Sequence, residues 1–523
     1  MKMVKSVILG SAAGLLAMSG TQAADLPVKA KPVEYVRICS LYGAGFFYIP
    51  GTDTCLKLGG YLRVDTTFNG GIYNAPAWSG DAGQRNRYFD YFAARSRMAL
   101  TVDTRTATEY GVVRTFAQGD FQFETLGNNS FNPTVLGAAG TSAGLLHTPG
   151  GGYVAVEFAF IQFAGFTFGK SASAYATPWH GYPGNNTSFL LGGHDTVTGV
   201  NNIQYSAQFG NGVSGTIGLD DPTVFNRTAV YNLSTGLSAV GTTGNAYAGV
   251  HAPDVVGNIR VDQAWGLFQF SAAAHEVNGS YNVLAPATAF PTNISEISGH
   301  PGTKWGGSVM AALQIKNIPT GAGDDIKMDA SFARGDTKNV ISTSATSPNF
   351  AMFGGSSVGI PGVYQTVGFG ATTDAVYLPV LFGGTGDLKL TDSWGVRGAF
   401  NHNWDPYWSS SLFGSWSSVR YRGSVGDLAT AKGQYCFTYA RIALGQGLTY
   451  TCNPDYDVSQ LGVVTRWTPV KNLTFSAEVM WFHLDQKFSG FATLTPTPPK
   501  PIALYEFKNQ DTVSLNLRVQ RNF

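Results

Sequence analysis

The stretch DTVSLNLRVQRNF, Asp511 to Phe523, alternates residue by residue. Val513, Leu515, Leu517, Val519 and Phe523 fall on one face of a period-two strand, and Ser514, Asn516, Arg518, Gln520 and Asn522 fall on the other. Chain ends are ordinarily frayed and polar. An amphipathic strand in this place, finishing in an aromatic residue, calls for pairing on its edges and an apolar medium on one face.

Composition narrows what that medium is. Charged residues make up 13% of the 523, where about 25% is usual for a soluble chain. Aromatics also reach 13%, glycine numbers 65, and mean hydropathy is near zero at -0.01. Low charge with neutral hydropathy fits a β protein that hides its apolar residues by alternation. At the start, Lys2 and Lys5 precede an apolar run from Val7 to Met18 and the small-residue site Thr21-Gln22-Ala23. This reads as an export signal over residues 1–23, with Ala24 as the mature start. Removing Lys2 and Lys5 leaves 32 basic residues against 33 acidic ones, so no nucleic-acid partner is implied. Beyond Ala24 no apolar run reaches the roughly 18 residues of a membrane helix. Four cysteines, Cys39, Cys55, Cys436 and Cys452, allow three disulfide connectivities in an exported chain. Zinc is the rival use, but neither CxxC spacing nor nearby histidines support it. No motif calls for a cofactor.

The alternation of the last strand recurs along the chain. In CLKLGGYLRVDTTF, Leu56, Leu58, Leu62 and Val64 oppose Lys57, Tyr61, Arg63 and Asp65. In AARSRMALTVDTR, Met98, Leu100 and Val102 oppose Arg95, Arg97, Thr101, Asp103 and Arg105. NLTFSAEVMWF sets Leu473, Phe475, Ala477, Val479 and Trp481 against Thr474, Ser476 and Glu478. Short turns such as Ala164-Gly165 and Trp404-Asp405-Pro406 alternate with long stretches rich in Gly, Ser, Thr, Asn and Pro, read as polar loops; Leu126 to Gly152 and Thr337 to Gly386 are examples. The pattern predicts about sixteen strands joined by seven short turns and eight long loops.

A strand that crosses hydrocarbon must pair every N–H and C=O with a neighbouring strand, because lipid offers no partner. Only a closed sheet leaves no edge, so the first strand has to pair with the last. The expected fold is all-β: a transmembrane up-and-down antiparallel β-barrel of about 16 strands over residues 56–523, with Asp511 to Phe523 as its closing strand. A soluble β-sandwich also alternates, but gives no reason for turns and long loops to take strict turns.

EYVRICSLYGAGFFYIPGTDTCLKLGGYLRVD (Glu34 to Asp65), AFIQFAGFTFGK (Ala159 to Lys170), the mature start ADLPVKAKPVEYV and the final NLRVQRNF resemble the alphaproteobacterial outer-membrane porin family. The likeness runs from one end of the chain to the other. It implies a sixteen-stranded, water-filled barrel in the outer membrane of a Gram-negative bacterium, usually a homotrimer among lipid and lipopolysaccharide, through which small hydrophilic solutes diffuse. It also implies that the third long loop folds inward and narrows the lumen. That loop is the stretch from about Ser173 to Val200, with Tyr175, Trp179, Tyr182 and Phe189 available to anchor it against a wall.

The lumen faces carry Lys57, Arg63, Arg95, Arg97 and Arg114. Mid-strand charges facing lipid would cost ~2–4 kcal/mol, which places water on their side. Arranged opposite Asp195 of the inward loop, they would set up a transverse field across the constriction. Alternatively, they pair with Asp65, Asp103 and Glu157 and hold the wall. Barrel topology also sorts the cysteines: Cys39 and Cys55 fall on the short-turn side, in a segment of residues 24–55, whereas Cys436 and Cys452 share a long loop on the opposite side. About 25 Å of membrane separates the two sides, far beyond disulfide reach, so Cys39–Cys55 and Cys436–Cys452 are the expected bridges. His180 and His194 share the inward loop with Ser173, but no GxSxG elbow accompanies them. The chain is expected to be a channel and not an enzyme; a substrate-selective channel, or an enzyme or adhesin on a barrel scaffold, are the competing readings.

Overall fold

The computed structural model describes residues 37–71, 73, 92–125, 153–179, 181–194, 198–223, 227–282, 299–342, 348–355, 361–442, 449–498 and 500–523. The export signal expected at residues 1–23 lies outside them, as do His180 and Asp195.

Sixteen strands form one closed sheet among the described residues. They are β1 (Cys55–Phe68), β2 (Phe92–Thr108), β3 (Gly111–Thr125), β4 (Tyr153–Phe163), β5 (Phe166–Ser171), β6 (Val200–Gly210), β7 (Val213–Asp220) and β8 (Asp254–Gln263). The second half consists of β9 (Gly266–Val277), β10 (Lys304–Lys316), β11 (Asp325–Arg334), β12 (Asp392–Asn403), β13 (Trp408–Arg420), β14 (Tyr456–Val470), β15 (Leu473–Gln486) and β16 (Gln510–Asn522). Each pairs antiparallel with its neighbours in the chain, and β16 returns to β1, from Tyr61 opposite Asn522 to Phe68 opposite Leu515. The closing strand therefore has a partner on each edge, β15 and β1. Leu62, Val64, Ile259, Leu412, Leu461 and Leu517 are exposed on the outer face, while Ser271, Gln460 and Asn516 are buried on the inner one. That inversion of the soluble pattern is what a lipid solvent selects.

Connections on one side are tight. Ala164 takes φ +49° and Gly165 φ +86°, the two positive values that a two-residue hairpin turn requires. On the other side the connections are long, and here the structure departs from the expectation of polar loops. Phe350–Phe353, Val363–Gly370, Ala503–Phe507, Ser489–Leu494 and Thr449–Thr451, drawn from three loops, form a five-stranded sheet. Val230–Asn232, Ala375–Tyr377 and Leu388–Leu390 form a three-stranded one. The helix α1 (Ala431–Ala440) begins at Thr430, whose hydroxyl accepts the Gly433 N–H at 3.2 Å. Tyr231, Tyr435, Tyr439, Phe369 and Tyr505 of these loops bury into one apolar core with Tyr456, Val458, Phe482 and Leu484 from the strand ends. Both disulfides pair as the topology requires: Cys39–Cys55 with Cα atoms 6.0 Å apart, and Cys436–Cys452, which ties α1 to the loop at Cys452, with Cα atoms 5.7 Å apart.

Candidate pore constriction

Residues 172–199 connect β5 to β6, and the described ones, 172–179, 181–194 and 198–199, turn into the barrel instead of away from it. A buried loop must satisfy its backbone polar groups without water, and here the lumen-facing wall does so. Asn258 of β8 donates to Ala174 O at 2.6 Å, and Gln269 of β9 to Ala176 O at 2.7 Å. Asn401 of β12 donates to Pro183 O at 3.1 Å, and Arg466 of β14 donates to Gly184 O. Glu478 of β15 accepts the N–H groups of Asn186 and of Thr187, the latter at 3.0 Å. Gln460 of β14 serves the loop twice, donating to Phe189 O at 2.6 Å and accepting from Leu191 N at 2.8 Å. Apolar contacts complete the seat: Leu190 against Ala399, Phe413, Val464 and Met480, and Tyr175 against Val256, Met310 and Ala312.

The firmest clamp is ionic. Arg397 of β12 sits 3.0 Å from Asp329 of β11, with both side chains fully buried. Its remaining guanidinium nitrogens donate to His194 O at 2.8 Å and Leu190 O at 3.4 Å. The loop passes this pair on Gly193, where a Cβ would lie 2.2 Å from Asp329 Oδ1 and 2.8 Å from Arg397 Nε. His194 is bound to Asn339 at 2.7 Å. Burial, with Lys338 and Arg397 nearby, pushes its imidazole down to about 3.

The basic residues singled out in the sequence lie on β1, β2 and β3. Arg95 meets Asp65 at 2.6 Å, and Arg518 of β16 meets the other oxygen of the same carboxylate at 2.5 Å. Arg97 reaches Asp120 at 2.7 Å and Glu157 at 3.7 Å. Arg114 shares Asp103 with Arg105, at 3.0 and 3.1 Å. The guanidinium of Arg63 donates to Gln520 at 2.7 Å and lies 4.4 Å from the Tyr61 ring. Lys57 is exposed near the short-turn end, 5.8 Å from the Phe46 ring. Exposure separates the group: Arg95 and Arg97 are only 2% and 6% exposed, with the Tyr73 ring within 5.0 and 5.9 Å, whereas Arg63 and Arg114 are half-buried.

Strand register enlarges the cluster. Arg95, Asp65, Arg518, Ser476 and Arg466 stand in one row across β2, β1, β16, β15 and β14. Sequence reasoning did not assign Arg397, Arg466, Arg518, Asp329, Gln460 or Glu478 to the constriction. Arg397, Asp329, Arg518 and Glu478 share the polar parity of their strands, which is the signal that points to them, whereas Gln460 and Arg466 share a face of β14 with Val458 and Val464 and carry no such signal. The arrangement can hold a loop rigidly inside a barrel and set a predominantly basic wall beside it.

Comparison with known proteins agrees. Porin Omp2b of Brucella canis is 36% identical over 270 residues, covering 50% of this chain and 63% of that protein. Porin Omp2b of Brucella melitensis is 36% identical over 271 residues with the same coverage, so the chain spans less than two thirds of the length of these curated relatives. The crystal structure of the outer membrane channel DcaP of Acinetobacter baumannii superposes with a TM-score of 0.53 at 14% identity, covering 91% of this chain and 99% of that one, a likeness of fold. The sequence model of the Porin subfamily matches residues 25–516, and with the closed sixteen-stranded sheet beneath that match, the chain belongs to the Porin subfamily.

Proposed function

We propose that the chain forms a water-filled pore through the outer membrane of a Gram-negative bacterium, for passive diffusion of small hydrophilic solutes and ions. In this reading residues 1–23 direct export, the barrel sits among outer-membrane lipid and lipopolysaccharide, three copies assemble, and no catalytic step is involved. The observation that carries it is the clamped loop 172–199: side chains of β8, β9, β12, β14 and β15 grip its backbone inside a closed sheet. A loop fixed across a lumen narrows it, and a narrow section sets conductance. Arg63, Arg95, Arg97 and Arg114, with Lys57 nearer the short turns and Asp195 from the loop, then shape the field that a solute crosses. Solute selectivity on the same barrel is the second reading, favoured by the apolar core that the long loops build at one end of the barrel.

Single-channel recording under a salt gradient tests this. Arg63→Ser and Arg114→Ser, the half-buried pair, should shift the reversal potential toward cation preference. Unchanged potentials and unchanged currents in both variants would count against a constriction at these residues.

A further inference from the structure

A second basic feature lies at the outer rim of the barrel. A cavity of about 420 Å³ is lined by Lys304, Arg334, Lys389 and Arg422, with Thr430 and Ala431 of the α1 N-terminus, and among the described residues no carboxylate lines it. Asp392 lies behind it, 2.7 Å from Arg422 and 3.7 Å from Arg334, and Lys389 reaches Asp387 at 3.5 Å. Two carboxylates thus face four cations, and the cavity keeps an excess of positive charge. The Arg334 and Arg422 side chains are 48% and 50% exposed, so both guanidinium forks are within reach of a ligand. The first turn of α1 adds the favourable end of a helix dipole.

Strand parity gives the face for Arg334 and Asp392, and the flanking aromatic residues give the depth. Arg334 stands two residues beyond Phe332, which is exposed on the outer face of β11. Asp392 stands two before Trp394 on β12, and the neighbouring Arg420 guanidinium lies 5.3 Å from the Trp394 ring. Trp305 is exposed with the outer-face parity of Val309, and Lys304, the first residue of β10 and of the opposite parity, reaches the cavity from the end of the strand. Aromatic residues mark the interfaces of outer-membrane barrels, and the long loops mark the external side. The cavity therefore lies at headgroup level, with Phe332, Met328 and Val396 exposed on the apolar band below.

We propose that this cavity binds the phosphorylated headgroup of an outer-leaflet lipid, whose acyl chains run down over that apolar surface. Guanidinium forks match phosphate oxygens two at a time, and lipid is the source that the depth favours over free phosphate. The proposal rests on the outer-membrane reading above.

The test is native mass spectrometry of the full chain with diphosphoryl lipid A, with its dephosphorylated form, and with inorganic phosphate. Folded chains are first selected by heat-modifiable electrophoretic mobility. One variant replaces Lys304, Arg334, Lys389 and Arg422 by Ser and Asp392 by Asn; a second, Lys304→Glu with Lys389→Glu, leaves the Asp392 pairs intact. The wild-type chain should retain the phosphorylated lipid at least about tenfold more tightly than either variant, discriminate against the dephosphorylated form, and share its single-channel conductance with both variants. Equal retention by wild type and variants overturns the site, and inorganic phosphate binding as tightly as the lipid overturns the lipid as its source. Normal conductance in chains that retain neither lipid form contradicts the site and leaves the porin reading standing.

Discussion

Phe523 and Gly60 meet across the seam that closes the barrel. The Phe523 N–H donates to Gly60 O at 3.1 Å, and the Gly60 N–H donates to Phe523 O at 3.3 Å. Gly60 has φ +150°, and a Cβ there would lie 2.0 Å from the Ala99 carbonyl oxygen and 3.1 Å from the Phe523 ring. Closure therefore depends on the absence of a side chain at residue 60. Gly60→Val should lower folded yield and cost about 1–3 kcal/mol, read by heat-modifiable mobility and urea unfolding. Gly119→Ala on β3, where a Cβ would meet nothing within 4 Å, is the control and should fold normally.

The buried Asp329–Arg397 pair ought to matter more for the loop than for the sheet. Asp329→Asn leaves a fully buried guanidinium without its counter-charge, a change costing about 3–5 kcal/mol. Because Arg397 also holds His194 O and Leu190 O, the loss should appear first as larger and noisier single-channel currents. A variant that unfolds more easily yet conducts as wild type would assign the pair to the wall alone.

Acid should loosen the same loop. The His194 imidazole is held down to about 3, against an ordinary 6.5, by burial beside Lys338 and Arg397. An unfolded or released loop binds a proton more readily than the seated one. Its contribution is intact above about pH 6.5 and falls by about 1.4 kcal/mol per unit as pH drops from there toward 3. Wild-type currents should become noisier across that window, and His194→Gln should remove this component of the pH dependence.

Reducing Cys436–Cys452 frees a span of 16 residues around α1. Loop-closure entropy puts the stabilisation lost at about 3 kcal/mol, confined to the packed loops. Protease should then cut between Gly423 and Asp455 while the barrel keeps its heat-modifiable mobility; a barrel that melts with the disulfide would show that the loops and the sheet fold as one unit.

Much of this architecture is legible in the sequence because a lipid-exposed strand has to alternate. Met98, Leu100 and Val102 against Arg95, Arg97 and Asp103 give strand, face and lumen at once, and the span of Asp511 to Phe523 gives the seam. The packed loops were not legible. Tyr231, Phe350, Tyr435, Phe488 and Tyr505 are separated by long polar stretches and share no period, so their common core exists only in three dimensions. The clamp was half legible: Arg397 and Glu478 stand out as lumen-parity charges. Only the folded loop shows that they serve its backbone, because nothing in residues 172–199 announces which carbonyl will face which strand.

Single-channel recording of the full chain in a planar bilayer tests the central claim most directly. A closed sheet with a loop clamped across its lumen predicts discrete current steps of uniform size, nearly linear in voltage. Bilayers holding inserted, heat-modifiable barrels that stay electrically silent would contradict it.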